Sequence, residues 1–140
     1  MKKGFTCGAF DLLHYGHALM LEEAKSVCDY LIVGVQSDPS LDRSFKNKPV
    51  LSYEERIGMV KSIKYVDEVV LYDTEEDLIK LLNKIKPDIR ILGADHKNTN
   101  FTGFDMDIDF YFNSRDHDYS TTRVRKLVYE AEIKSSSLIT

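Results

Sequence analysis

Short apolar runs alternate along the chain with longer stretches whose apolar residues recur every three or four positions. KGFTCGAF at residues 3–10, HALMLEEAKSVCD at 17–29 and YLIVGVQSD at 30–38 predict strand, helix, strand, a βαβ unit. Within the helix, Ala18, Leu21, Ala24, Val27 and Cys28 share one face, and Glu22, Glu23, Lys25 and Ser26 take the other. The unbroken apolar run from Leu31 to Val35 suits a parallel strand covered on both faces. After a polar stretch at 39–50, Ser52 with Glu55 three residues on marks a helix start by the capping-box pattern, and VDEVVLYD follows as a third strand. Thr74 with Asp77 repeats the device, Leu78, Leu81, Leu82 and Ile85 form one face, and the helix must stop before Pro87. IRILGAD and FYFNSR are then strands four and five, and STTRVRKLVYEAEI is a final helix. There is no internal repeat and no linker.

This alternation predicts an α/β fold, a single-domain, Rossmann-like, doubly wound parallel sheet of about five strands with right-handed crossovers. Ligands of such sheets bind at the carboxyl ends of the strands, near the switch point. Those ends carry GAFDLLHYGH (8–17), GAD (93–95) and RDHDYSTT (115–122), where polar residues cluster without a packing reason.

Composition narrows the class. The 140 residues suit one domain, and a net charge of -4 with interspersed signs argues against a nucleic-acid partner. Cys7 and Cys28, 21 positions apart in apolar runs, read as reduced core residues of a cytoplasmic protein. No segment has the length of a membrane span, and residues 1–10 lack the features of a signal peptide.

The chemistry concentrates on His14 and His17. A strand-to-helix turn supplies what a triphosphate needs: Gly16 permits close backbone approach, the helix start offers unpaired N–H groups, and two imidazoles add donors. Ser120, Thr121 and Thr122 repeat this logic at the last helix, where plain N-capping would need only one hydroxyl.

GAFDLLHYGH, KNKPVLSYEER, KYVDEV and RDHDYSTTRVR together resemble the cytidylyltransferase family, in particular the bacterial glycerol-3-phosphate cytidylyltransferases. The His-x-Gly-His signature alone is shared with pantetheine-phosphate, nicotinamide-mononucleotide and heptose-phosphate adenylyltransferases. The resemblance implies transfer of CMP from CTP to a small phosphorylated alcohol, first glycerol 3-phosphate, giving CDP-glycerol and pyrophosphate for cell-surface polymers. It leaves open phosphoethanolamine or phosphocholine as acceptor, adenylyl transfer to a sugar phosphate, and a non-catalytic nucleotide-binding module.

By the same resemblance His14, His17, Lys46 and Arg115 are catalytic. Gly8, Ala9, Phe10, Asp11, Gly16, Asp95, Ser120, Thr121 and Thr122 bind nucleotide. Lys46, Lys48 and Lys64 hold the acceptor, with Lys46 favoured over Lys48 and a solvated loop as the alternative for either. Asp11 lies near a Mg2+ ion held mostly by phosphates and water. Arg56 is a second-rank candidate, and Arg123 and Arg125 divide between site and surface.

Four positions depart from the family pattern. Lys64 stands for an arginine, Ala94 for an aspartate, Ala9 for a small hydroxyl residue, and His96 with NTNFTG for a tryptophan-containing stretch. His117 is a titrating site residue or a hydrophilic turn, and the alternating acids from Asp105 to Asp109 read as a solvated strand edge. The resemblance also implies a homodimer, to which Phe101 to Phe112 contribute unless they fill the core. Residues 1–132 form the transferase domain, and the Ser-rich 133–140 a mobile tail.

Overall fold

The computed structural model describes the backbone of residues 1–139 and the side chains of residues 1–136. Strands β1 (Lys3–Gly8), β2 (Tyr30–Gln36), β3 (Glu68–Tyr72), β4 (Ile89–Leu92) and β5 (Asp109–Phe112) form one sheet in the order β3-β2-β1-β4-β5. Every pairing is parallel. Helices α1 (Tyr15–Ser26), α2 (Tyr53–Lys61), α3 (Glu75–Ile85) and α4 (Thr121–Ile139) complete the fold. The order reverses between β1 and β4, so the switch point lies at the ends of those two strands, as the alternation of elements predicts.

Residue period decides what each face of the sheet meets. Leu31, Val33 and Val35 of β2 alternate toward α1 and α2, where Phe10, Leu21, Ala24, Val60, Ile89 and Ile91 join them in one buried cluster. Ile32 points the other way, with Phe5, Tyr72, Leu78 and Leu82 beneath α3. Each such side chain contributes roughly 1.5–3 kcal/mol by leaving water. A Cβ at Gly34 would lie 3.1 Å from Phe5 and 3.2 Å from Cys7, so glycine lets this second layer close on the sheet. Cys7 and Cys28 are free thiols.

The helix starts follow the sequence signals. Ser52 Oγ accepts the Glu55 N–H at 3.1 Å, and Glu55 returns to the Ser52 hydroxyl at 2.9 Å. Thr74 and Asp77 form the full reciprocal box at 3.1 and 3.2 Å. α1 begins at Tyr15, two residues ahead of the HALMLEEAKSVCD pattern, because His14 itself serves as the N-cap.

α4 runs without interruption past Glu132 to Ile139, through the stretch read as a tail, of which Thr140 lies outside the described residues. Neither Gly nor Pro occurs between 121 and 139, and serine is only mildly unfavourable within a helix. The aromatics from Phe101 to Phe112 pack on one another: the Phe101 ring meets Phe110 at 5.1 Å, Phe112 at 6.0 Å and Phe104 at 6.5 Å, all edge to face. Phe104 of this segment stays exposed, and further exposed apolar residues lie on α4, at Leu127, Val128, Tyr129 and Ile133. Among the described residues, no helix is long and apolar enough to cross a membrane.

Candidate active site

The turn between β1 and α1 is built on strained backbone. Phe10 and Leu12 have φ of 52° and 51°, a left-handed conformation that costs a side-chain-bearing residue on the order of 1 kcal/mol or more. Two anchors hold it. Phe10 is buried in the α1 and α2 cluster and lies 5.4 Å from the His17 ring. The Asp11 carboxylate accepts the N–H groups of Val50 at 2.8 Å and Leu51 at 2.9 Å, tying the turn to the loop that carries Lys46 and Lys48.

Both oxygens of Asp11 are engaged by backbone, each with a lone pair to spare, and among the described residues no three His, Cys, Asp or Glu side chains gather as a cation site. A magnesium ion arriving on a triphosphate needs few protein ligands and fits without one.

His14 and His17 brace each other. His14 Nδ1 accepts the Gly16 N–H at 3.0 Å, His17 Nδ1 accepts the His14 N–H at 3.2 Å, and the rings lie 3.9 Å apart. Because each Nδ1 is an acceptor, each proton resides on Nε2, and both Nε2–H groups are donors. Burial, then the neighbouring His14, pushes the His17 pKa down to about 3 against the opposing pull of Asp11. Burial also lowers His14, followed by the charges of His117, Arg115 and Arg123. Both imidazoles are therefore neutral donors near pH 7.

The start of α4 faces this pair. Thr121 Oγ1 lies 3.3 Å from His14 Nε2 and donates to the Asp11 carbonyl at 3.3 Å. Ser120 Oγ accepts the Arg123 N–H at 3.0 Å, so Ser120 is the helix cap and Thr121 the hydroxyl turned to the histidines. Gly16 is needed for room, since a Cβ there would lie 2.8 Å from the His14 ring and 2.9 Å from Tyr119.

Two cavities open on either side. One of about 730 Å³ is lined by His14, Gly16, Arg115, His117, Ser120 and Ala94. The other, about 860 Å³, is lined by Gly8, Ala9, Phe10, Asp11, Lys46, Asp95, His96, Thr122 and Arg125. His17, Met20, Gly93, Asn113 and Thr121 form the wall they share.

The lysines separate. Lys46 lines the larger cavity, whereas Lys48 lines neither and its charge acts on Asp38. Lys64 precedes β3, at the end of the sheet opposite the site, with its ammonium 5.2 Å from the Tyr65 ring centre. A residue ahead of a parallel strand cannot reach the carboxyl ends of that sheet, so within this chain Lys64 is not brought to the site. Arg123 lies over Tyr119 at 5.3 Å.

Arg56 is a brace. It is 2 % exposed, and its guanidinium donates to the carbonyls of Ala9 at 2.9 Å, Gln36 at 2.7 Å, Leu51 at 3.2 Å and also Ser37. It joins the ends of β1 and β2 to the lysine loop. Glu23 does the same for the far wall, accepting from Tyr111 Oη at 2.8 Å and from the Ser114 N–H and Oγ at 3.0 and 3.1 Å. Helical periodicity places Glu23 on the solvent face, because it registers only the sheet-facing stripe and not the loop that folds back beside it.

Residues 5–127 match the cytidylyltransferase-like family. The bifunctional protein HldE of Helicobacter pylori is 40% identical over 121 residues, 86% of this chain and 26% of that protein. The chain thus spans about a quarter of the length of that curated relative. The FAD synthase of Ferroglobus placidus is 45% identical over 95 residues, 68% of this chain and 60% of that protein. Among solved structures, the lipopolysaccharide core biosynthesis protein of Thermoplasma volcanium aligns with a TM-score of 0.61 and 26% identity, covering 94% of this chain and 89% of that one. With the histidine turn and the facing helix start at the switch point, the match over residues 5–127 makes this chain a member of the cytidylyltransferase-like family.

Proposed function

We propose that this chain transfers a nucleoside monophosphate from a nucleoside triphosphate to a small phosphorylated acceptor and releases pyrophosphate. The observation that carries the reading is the pair of Nε2–H donors at the start of α1, set against the start of α4. The triphosphate enters with its magnesium ion. Its α-phosphate lies at His14 and His17, and its tail runs toward Ser120, Thr121, Thr122 and Arg115. The nucleoside takes the smaller cavity and the acceptor the larger, where Lys46 meets its phosphate.

An acceptor phosphate oxygen attacks the α-phosphorus, the bond to the bridging oxygen breaks, and pyrophosphate leaves with the electron pair. A phosphate monoester is already an anion, so no base has to remove a proton. Catalysis is then alignment, together with neutral N–H donors for charge that builds on the α-phosphate oxygens.

ATP is the leading donor, because FAD, the product named in the Ferroglobus relative, contains an AMP unit. CTP with glycerol 3-phosphate, or with another phospho-alcohol, is the second reading, favoured by the Lys46 to Arg56 and Arg115 to Arg125 motifs. A second copy of this chain covering the exposed apolar residues of α4 completes the proposal. The test is to incubate the protein with magnesium and ATP, CTP, GTP or UTP, each with a sugar 1-phosphate, FMN or glycerol 3-phosphate, and to identify products by mass spectrometry. An adenylylated acceptor supports the first reading and CDP-glycerol the second. Bound but intact triphosphate with every acceptor would overturn both.

A further inference from the structure

Arg90 is a charged residue of the larger cavity that the transfer chemistry does not use. It stands on β4 between Ile89 and Ile91, a polar break in an apolar strand and the kind of local rule violation found at functional positions. Its side chain is 4 % exposed, on the α3 face of the sheet, with the guanidinium 5.4 Å from the Phe101 ring centre. Nη1 donates to the Thr102 carbonyl, and Nε has no hydrogen-bond partner.

Among the described residues no carboxylate pairs with it, and Glu75, which shares the cavity, is already held by Arg43. Asp11 is engaged by Val50 and Leu51, and Asp95 sits beyond the strand end, on the turn after Gly93. A buried guanidinium with no counter-ion and an unpaired Nε is costly, and an apolar side chain of similar size would fill the space at lower cost. Along β4, Arg90 lies about 7 Å below Leu92, deeper than the strand ends where the histidines and Lys46 meet phosphate.

We propose that Arg90 reads a second oxyanion on the acceptor. Lys46 at the mouth takes the phosphate that becomes nucleotidylated, and Arg90 on the floor takes a carboxylate or a second phosphate at the acceptor's other end. The substrate class is a phosphorylated metabolite with a second acidic group, so a sugar 1-phosphate, FMN or glycerol 3-phosphate engages Lys46 alone and fits the cavity only in part. This inference rests on the nucleotidyl-transfer reading for its assignment of the larger cavity to the acceptor.

The test is calorimetric binding of three probes on one carbon frame: glycerol 3-phosphate with a neutral end, 3-phosphoglycerate with a carboxylate end, and glycerol 1,3-bisphosphate with a phosphate end. The wild-type chain is expected to bind one of the two doubly acidic probes at least about tenfold more tightly than glycerol 3-phosphate. That preference should vanish in Arg90→Met and survive in part in Arg90→Lys. Circular dichroism and melting of each variant without ligand establish that it is folded at the assay temperature, so that a lost preference is read on folded protein. Equal binding of all three probes by wild type, binding of none, or a preference retained by Arg90→Met would overturn the proposal. Pyrophosphate release, assayed separately, distinguishes the two failures: transfer without the preference sinks only this inference, and the preference without transfer sinks only the transfer reading.

Discussion

Each histidine of the α1 turn uses one ring nitrogen for structure and leaves the other for chemistry. The unfolded chain holds His17 at its ordinary pKa of 6.5, whereas burial in the folded chain drives it to about 3. Below pH 6.5 the unfolded state binds a proton that the folded state refuses, so stability is complete above that pH. It falls as pH drops toward about 3, by about 1.4 kcal/mol per unit for this one group. Urea midpoints measured at pH 7 and pH 5 should therefore separate further in wild type than in His17→Asn, whose amide oxygen replaces the Nδ1 acceptor and which keeps only the smaller dependence from His14. Equal separation in both proteins would contradict this account. The acid limb of kcat/KM should follow the acceptor's second phosphate ionisation, near pH 6, rather than a histidine. An acceptor analogue of lower pKa should move that limb with it, and a limb that stays fixed would assign it to the enzyme. That His14, His17 and Thr121 lie together was legible in the sequence, because a strand-to-helix turn and a second helix start at the switch point bring such residues to one crevice. The role of Asp11 as a backbone clasp was not, since its partners, Val50 and Leu51, lie 39 and 40 residues away.

At the scale of elements, the site depends on how closely two helix starts approach. Gly16→Ala would drive a methyl group into the His14 ring and Tyr119, so turnover should fall by an order of magnitude or more while the unfolding midpoint stays close to wild type. A loss of fold instead, read by circular dichroism, would make Gly16 a core residue. Arg56→Met should act in the opposite manner. It orphans the carbonyls of Ala9, Gln36, Ser37 and Leu51, and an unpaired buried group costs roughly 1–3 kcal/mol. Denaturant unfolding should show a loss of about 3 kcal/mol or more, and an unchanged midpoint would refute the bracing role. Strand and helix order, and the caps at Ser52 and Thr74, followed from local patterns, because capping and periodicity are short-range rules. The braces made by Arg56 and Glu23 connect segments far apart in sequence, and the length of α4 depended on a serine run that composition alone assigns to a tail.

Across the whole molecule, the β3-β2-β1-β4-β5 order brings the ends of β1 and β4 to one crevice, with α1 and α4 starting on its rim. α4 then exposes Leu127, Val128, Tyr129 and Ile133. Sedimentation velocity should show a dimer that Leu127→Asp with Val128→Asp converts to a monomer, and a wild-type monomer at assay concentrations would remove the second copy from the proposal. The central claim is that the histidine turn stabilises charge on a transferring α-phosphate, and the most direct measurement compares pyrophosphate release by wild type and His17→Ala. Each would be assayed with magnesium and the nucleotide–acceptor pair that mass spectrometry identifies. Removing one such donor should lower kcat by about 10²–10³-fold while the triphosphate still binds. Pyrophosphate release that His17→Ala leaves unchanged would contradict the account.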